Sequence, residues 1–325
     1  MDTRVEVTPR TILMLLGILA SAWFLIYIHE IIFLLFIAFI ISSAVAPMVH
    51  MLIRSNIPRS ISILLTYITI IACLVVISTF IVPPLVTQSL RLINNLPEYF
   101  AVISPYIKVD FNTIVGQVGP LGQNVVRLVA GIFTNIVGIF TVFVFSFYFT
   151  LERNKLGPVI ETLFGSSRQK KIIQIVDKIE EQMGAWVRGQ LLLMVIIGLT
   201  AYLGLTILGV NYALPLAIIA GVLEAVPIIG PNVSAIPAIL VALNSSPTWL
   251  LAAAVAGFYF VIQQLENNLI VPTVMKKTVG IPPLISLLSL LIGGRIAGVL
   301  GAILAIPTFL VLKTIFEELR RKEEK

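Results

Sequence analysis

Two acidic residues stand in apolar surroundings, and they are the first candidates for chemistry. Glu224 lies in the apolar stretch from Tyr212 to Val226, three residues before Pro227. An unpaired carboxylate buried there would cost several kcal/mol, so it must be paired, protonated or held in a wet cavity. It reads as a proton or cation carrier, or else as a carboxylate capping the helix break that follows. Glu266 ends the apolar run from Trp249 to Leu265, among Gln263, Gln264, Asn267 and Asn268. On a helix Gln263, Glu266 and Asn267 share one face. Amides beside a carboxylate suit a hydroxyl-rich ligand or a partly dehydrated cation. A helix end wetted at the membrane interface would carry the same residues without any ligand.

Arg295 follows Gly293-Gly294, where it can pair with one of these carboxylates or extend its charge to the interface. Pro227, Gly230-Pro231 and Gly293-Gly294 read as tight breaks that expose backbone groups to a cavity rather than to lipid. Asn232 and Ser234 flank the first break and are further candidates.

Other chemistries lack their residues. No G-x-x-x-x-G-K-[ST] loop and no G-x-S-x-G elbow is present. His29-Glu30-Ile31-Ile32-Phe33 starts like a zinc-protease helix, but Phe33 stands where the second histidine must be, and His50 is the only other histidine. The single cysteine, Cys73, lies in an apolar run, so no disulfide framework or thiolate metal site is expected. No enzyme activity, cofactor or resident metal is expected, apart from a transient sodium ion near Glu224.

The elements that hold these residues must be membrane helices. Of 325 residues 58% are apolar and 12% charged, and the mean hydropathy is +1.04. A soluble chain of this size could not hide that much apolar surface, so lipid is the solvent for part of it. The net charge of +6 then reads as the basic excess of cytoplasmic loops, not as a nucleic-acid footprint. The expected fold is an all-α polytopic membrane protein. Its first spans are Thr11–Ile28 and Ile31–Ala46, with a reversal near His29-Glu30 and a stop at Pro47. The small residues Ala20-Ser21-Ala22 mimic a cleavage site, but the apolar run continues past them, as in a signal anchor.

Ser60–Val82, closed by Pro83-Pro84, completes an N-terminal unit of three spans over 1–84. Residues 85–128 carry Asn94-Asn95, Pro97, Pro105 and Gly119-Pro120 and read as an extracytoplasmic segment of short helices. A fourth span follows over 129–151. In 152–189 the spacing of Ile172, Val176, Ile179 and Met183 predicts an amphipathic cytoplasmic helix, lying on the membrane or on a neighbouring subunit. The core at 190–315 begins with a span, Leu191–Leu208. Two hairpins follow, 212–243 and 280–312, separated by the span Trp249–Leu265. The arm Val233–Leu243 rises only about 17 Å, too short to cross a bilayer, so both hairpins are expected to re-enter. A charged cytoplasmic tail occupies 316–325.

Pro215 precedes Pro237 by 22 residues, and Pro283 precedes Pro307 by 24. Each hairpin follows one span, so the two units would enter from opposite sides, as in an inverted repeat with its binding site between broken helices. Chance matching of proline-spaced apolar segments would give the same pattern. Eighteen of the 22 lysines and arginines fall in segments that are cytoplasmic if the N-terminus is inside. A multi-pass protein of the inner or plasma membrane, with both termini cytoplasmic, is expected.

The second half also carries a string of motifs: Trp186-Val187-Arg188-Gly189-Gln190, then Gly209-Val210-Asn211-Tyr212-Ala213-Leu214. Glu224-Ala225-Val226-Pro227-Ile228-Ile229-Gly230-Pro231 and Gln263-Gln264-Leu265-Glu266-Asn267-Asn268 with Pro272 come next. Gly293-Gly294, Gly298, Gly301 and Ala305-Ile306-Pro307 close it. In this order the motifs resemble the autoinducer-2 exporter family, also called the PerM-like permeases. The first half is less similar, resting on Pro47, Pro84 and Leu151-Glu152-Arg153, and Pro282 and Arg295 depart from the family pattern.

The resemblance implies a secondary transporter with about eight membrane segments, assembled as a homo-oligomer, a pentamer by family expectation. It implies either export of a small polar solute such as autoinducer-2 or sodium (lithium) exchange for protons. A membrane scaffold working through 152–189 is the reading from another class. For a transporter, alternating access is expected from the hairpin unit rocking against the first four spans, with Gly298 at a close helix contact.

Overall fold

The computed structural model describes residues 14, 16–18, 20–21, 23–24, 27–103, 136–226, 230–245, 248–275 and 281–320. The described chain is helical, without strands. Its helices are α1 (His29–Arg54), α2 (Arg59–Ile103), α3 (Ile136–Glu152), α4 (Leu156–Phe164), α5 (Ser166–Ile207), α6 (Ala213–Leu223), α7 (Gly230–Ser245), α8 (Leu250–Leu265), α9 (Val271–Val274) and α10 (Pro283–Arg320). Among the described residues four stretches are long and apolar enough to cross a membrane: His29–Arg54, Arg59–Leu92, Ser166–Ile207 and Leu284–Arg320. Exposed apolar side chains such as Val75, Val76, Phe80, Leu199 and Leu203 cover outer faces, as a lipid solvent requires.

Several breaks expected from the sequence are absent. The backbone bonds Ile28 N to Phe24 O and Ile32 N to Ile28 O, both 3.0 Å, carry helix through His29-Glu30 where a reversal was expected. No glycine, proline or asparagine stands between Trp23 and Pro47 to turn the chain. Pro47 does not end the second span either, because α1 runs through it to Arg54. A proline removes one donor and crowds the preceding turn. The freed carbonyls are served from outside: Arg188 Nη1 of α5 donates 3.2 Å to Ala44 O and 3.4 Å to Ser43 O.

Likewise α2 passes through Pro83-Pro84 and includes residues 85–103, which were expected as separate short helices. Its far end packs on the C-terminal half through Leu92, and Asn95 Nδ2 donates 3.0 Å to the Tyr212 hydroxyl. The remainder of the expected extracytoplasmic segment, 104–128, and the start of the fourth span lie outside the described residues.

The centre of the architecture is α5, against which α1, α4, α6, α8 and α10 pack. It joins the expected amphipathic helix and fifth span into one rod of 42 residues, about 63 Å long. That exceeds the roughly 30 Å of hydrocarbon by enough to place its polar first half outside. Its buried residues, Ile179, Met183, Trp186, Gln190, Leu193 and Ile197, recur at steps of three and four and form one stripe. Close crossings rest on small residues: a Cβ on Gly184 would collide with Ser43 O of α1, and one on Gly221 of α6 would meet Met194 O at 2.8 Å.

In the two regions where hairpins were expected, helical arms pack against one another. The first is α6, a turn beginning at Glu224, and α7; Pro227 lies outside the described residues. Gly230 is glycine because its Cα comes against the end of α6: a Cβ there would strike Leu223 O and approach Glu224 N to 2.7 Å. The second hairpin turns at Ala297 and Gly298, with Gly298 at φ 60°, rather than at Gly293-Gly294 as expected. Gly293 and Gly294 stay helical, and Gly293 packs backbone to backbone against Gly301 of the returning arm. Gly298 itself has no atom within 4 Å of where a Cβ would be, so the close contact expected of it belongs to Gly293 and Gly301.

Candidate functional site

The end of α6 places Glu224. Leu216, Ala217, Ala220 and Gly221 are the buried face of that helix, and Glu224 is the next residue in the same register. The Gly198–Gly221 approach draws α6 onto α5, so Glu224 arrives beside Gln190. Glu224 is 1% exposed. Gln190 Nε2 donates 2.6 Å to the Glu224 carbonyl, satisfying one of the groups left open where the helix ends.

By the same logic the end of α8 places Glu266. Ala252, Val255, Tyr259 and Ile262 are buried at steps of three and four, and Glu266 follows Ile262 by four. It is 3% exposed. The turn that starts at Glu266 is a π-helix, Glu266–Ile270. Pro272 cannot donate to the Asn268 carbonyl, and the helix widens in the turn before it. Widened turns of this kind recur at functional sites.

The two acids each lie four residues past a member of one buried cluster, Ala220 of α6 and Ile262 of α8, packed with Ile197 of α5. Each has one buried oxygen, Oε2, with no hydrogen-bond partner among the described residues, and so does the Gln190 side chain, at Oε1. An unmet acceptor in such a place costs about 1–3 kcal/mol, more for a charged group. Three of them in one region call for a proton, a cation or a ligand that donates. Among the described residues no group of three or more His, Cys, Asp or Glu is arranged to hold a metal ion.

The remaining sequence candidates divide differently from expectation. Gln263 is half-buried, while Asn267 and Asn268 are exposed, so the widened turn separates them from the buried face that Glu266 occupies. Asn268 Nδ2 donates to its own helix, 2.9 Å to Gln264 O and 3.2 Å to Gln264 Oε1. Asn232 is exposed, and Ser234 is buried beside the Tyr259 hydroxyl. Arg295 is exposed near the tip of the second hairpin and makes no ion pair with Glu224 or Glu266 among the described residues.

Gln190 is the member that sequence reasoning passed over. Its signal was an amide in a row of apolar residues at helical spacing, the same kind of signal that exposed Glu224.

Long apolar helices, interrupted helices and acids buried at the interruptions are the marks of a membrane transporter. The family described as "AI-2E family transporter" matches residues 12–321, and the chain belongs to it. It is 30% identical over 317 residues to a Bacillus subtilis (strain 168) protein named "Putative transport protein YueF", covering 90% of this chain and 85% of that one. A Mycobacterium tuberculosis (strain CDC 1551 / Oshkosh) protein, "Putative transport protein MT0215", is 26% identical over 92% of this chain and 86% of its own length. "Putative permease PerM" of Escherichia coli (strain K12) is 28% identical over 44% of this chain and 40% of its own. The chain is thus a membrane-embedded member of a family of transporters, not of an enzyme class.

Proposed function

We propose that the chain is a proton-coupled secondary transporter of the inner or plasma membrane, exchanging sodium or lithium for protons at Glu224 and Glu266. The observation that carries this reading is the pair of buried acids at the ends of α6 and α8, each with an oxygen unmet among the described residues. A carboxylate out of water favours its neutral form and can trade its proton for a cation. One proton for one monovalent cation leaves the charge of the buried site unchanged. Both termini are taken as cytoplasmic, by the distribution of lysine and arginine. The pentamer belongs to the same proposal, with the exposed apolar faces divided between lipid and neighbouring subunits.

The test is sodium-dependent proton movement in everted vesicles containing the protein. Wild-type protein should dissipate a pre-formed pH gradient when sodium or lithium is added, and Glu224→Gln should not. Wild-type vesicles that respond no more than empty ones would reject cation exchange.

Export of a small polar solute such as autoinducer-2 is the second reading, favoured by the family description. It leaned on the amides around Glu266, and the exposure of Asn267 and Asn268 weakens that support. Accumulation of the signal outside exporter-deficient cells only when the protein is made, without any sodium response, would favour it over exchange.

A further inference from the structure

Packing alone does not account for Gln190. Met183, Trp186, Leu193 and Ile197 share its buried stripe, and Gln190 is itself only 4% exposed. An amide in that row gives up its water and must recover hydrogen bonds from the protein. One end does so, through Nε2 to the Glu224 carbonyl. This bond also fixes the orientation of the amide, because the flipped form would set oxygen against oxygen. The other end, Oε1, is buried and unmatched among the described residues, as are Glu224 Oε2 and Glu266 Oε2.

We infer that Gln190 is a further binding residue of this site, its amide oxygen serving as the neutral ligand beside the two carboxylates for a partly dehydrated monovalent cation. The inference rests on the reading of Glu224 and Glu266 as the transport site. All three atoms are hard oxygen acceptors, the ligand type hard cations take. Protons can satisfy carboxylic acids, which then donate, but an amide oxygen takes no proton near neutral pH and needs a partner brought to it. Two acids and one amide suit a single positive charge when one acid keeps its proton. A purely structural role would use only Nε2, as a cap on the end of α6.

Thermal unfolding of the purified full-length protein in detergent tests this without transport. Sodium or lithium chloride is titrated at constant ionic strength against choline chloride, since a ligand bound only to the folded state raises the midpoint. The wild type should rise with sodium or lithium and not with choline. Gln190→Met removes both ends of the amide at similar length and should raise the half-saturating cation concentration by roughly tenfold or more. Gln190→Glu keeps an oxygen in place and should stay within about threefold of the wild type. If Gln190→Met does not fold, Gln190→Asn, which withdraws the amide, replaces it with the same expectation.

A Gln190→Glu response as weak as that of Gln190→Met would mean that only the cap matters, and the inference falls. It also falls if Gln190→Met binds like the wild type while Glu224→Gln and Glu266→Gln lose the response; the two-acid site then stands without it. If the two acid variants keep the wild-type response, the site reading itself fails. A wild type indifferent to sodium and lithium overturns the cation ligand, and solute export would remain to be measured by itself.

Discussion

Arg188 of α5 donates 3.2 Å to the carbonyl of Ala44 in α1, one turn before Pro47. Its reach to Ser43 O is 3.4 Å. The missing N–H of Pro47 leaves the Ser43 carbonyl without its helical donor, and the ring crowds the turn between them. A guanidinium from the neighbouring helix therefore completes the hydrogen bonding of a proline-containing helix. The Gly184–Ser43 approach brings the two backbones close enough for it to do so.

Arg188→Met should lower stability in detergent by about 1–2 kcal/mol, the cost of a carbonyl left unmet. Pro47→Ala restores a backbone donor, so in that background the same substitution should cost less. Thermal midpoints of the four proteins give the coupling directly. Strict additivity would show that Arg188 does not serve the proline.

Asn267→Ala and Asn268→Ala should leave transport within about twofold of the wild type, because both side chains are exposed and neither shares the buried face of α8. Glu266→Gln should reduce it by roughly tenfold or more, since the acid is buried and its Oε2 has no hydrogen-bond partner among the described residues. Initial rates in vesicles at matched protein content check both. An inactive Asn267→Ala with a wild-type thermal midpoint would return the amides to the site.

The acids were legible because composition betrays them: a charge in an apolar run has few reasons to be there. Gln190 follows the same rule, yet an uncharged amide stands out less in composition, and in the sequence it sits at the end of Trp186-Val187-Arg188-Gly189-Gln190 with no sign of which helix face it takes. The prolines misled. Pro47, Pro83 and Pro84 read as ends in the sequence, whereas α1 and α2 run through them, and at Pro47 the compensating donor, Arg188, comes from another helix and is a tertiary fact. Two kinds of glycine also look alike in sequence. Gly293 permits backbone contact and Gly298 permits positive φ, so the turn was expected four residues early. Pro272 marks the widened turn at Glu266–Ile270, but which residues that turn sets inward and which outward departs from ordinary helical spacing and is not read from the sequence.

The polar end of α5 offers an electrostatic test. Arg153, just past α3, donates 2.7 Å to Glu180 and also pairs with Asp177. The groups are partly exposed, with side-chain exposures of 22% for Arg153 and 60% for Asp177, so the pair is screened by solvent. Arg153→Gln should cost about 0.5–1 kcal/mol at low salt. The difference should largely vanish near 1 M salt, where the Debye length is about 3 Å. Thermal midpoints of wild type and variant at both salt concentrations measure it. A salt-independent loss would mean that Arg153 acts through packing of its alkyl chain.

The second hairpin separates size from backbone conformation as causes of damage. Gly298 holds φ 60° in open surroundings, so any L-residue there meets conformational strain of about 1–2 kcal/mol but no steric wall. Gly298→Ala, Gly298→Leu and Gly298→Asn should therefore lower the thermal midpoint by similar amounts, because at ψ −141° the residue lies outside the left-handed helical region that asparagine tolerates. Gly293 and Gly301 have ordinary helical φ, but a methyl group on either would run into the other's carbonyl. Gly301→Ala should then force the arms apart, at about 1–3 kcal/mol, and Gly301→Leu should be worse. Because the arm after the turn carries Leu304, Ile306 and Leu310 into the packing against α1 and α5, the separation should also reduce transport. Midpoints and initial rates for the five variants decide between the two mechanisms. A Gly298→Leu protein far less stable than Gly298→Ala would show that the turn is sterically enclosed and that the bulk of the side chain, not its φ, is what the hairpin rejects.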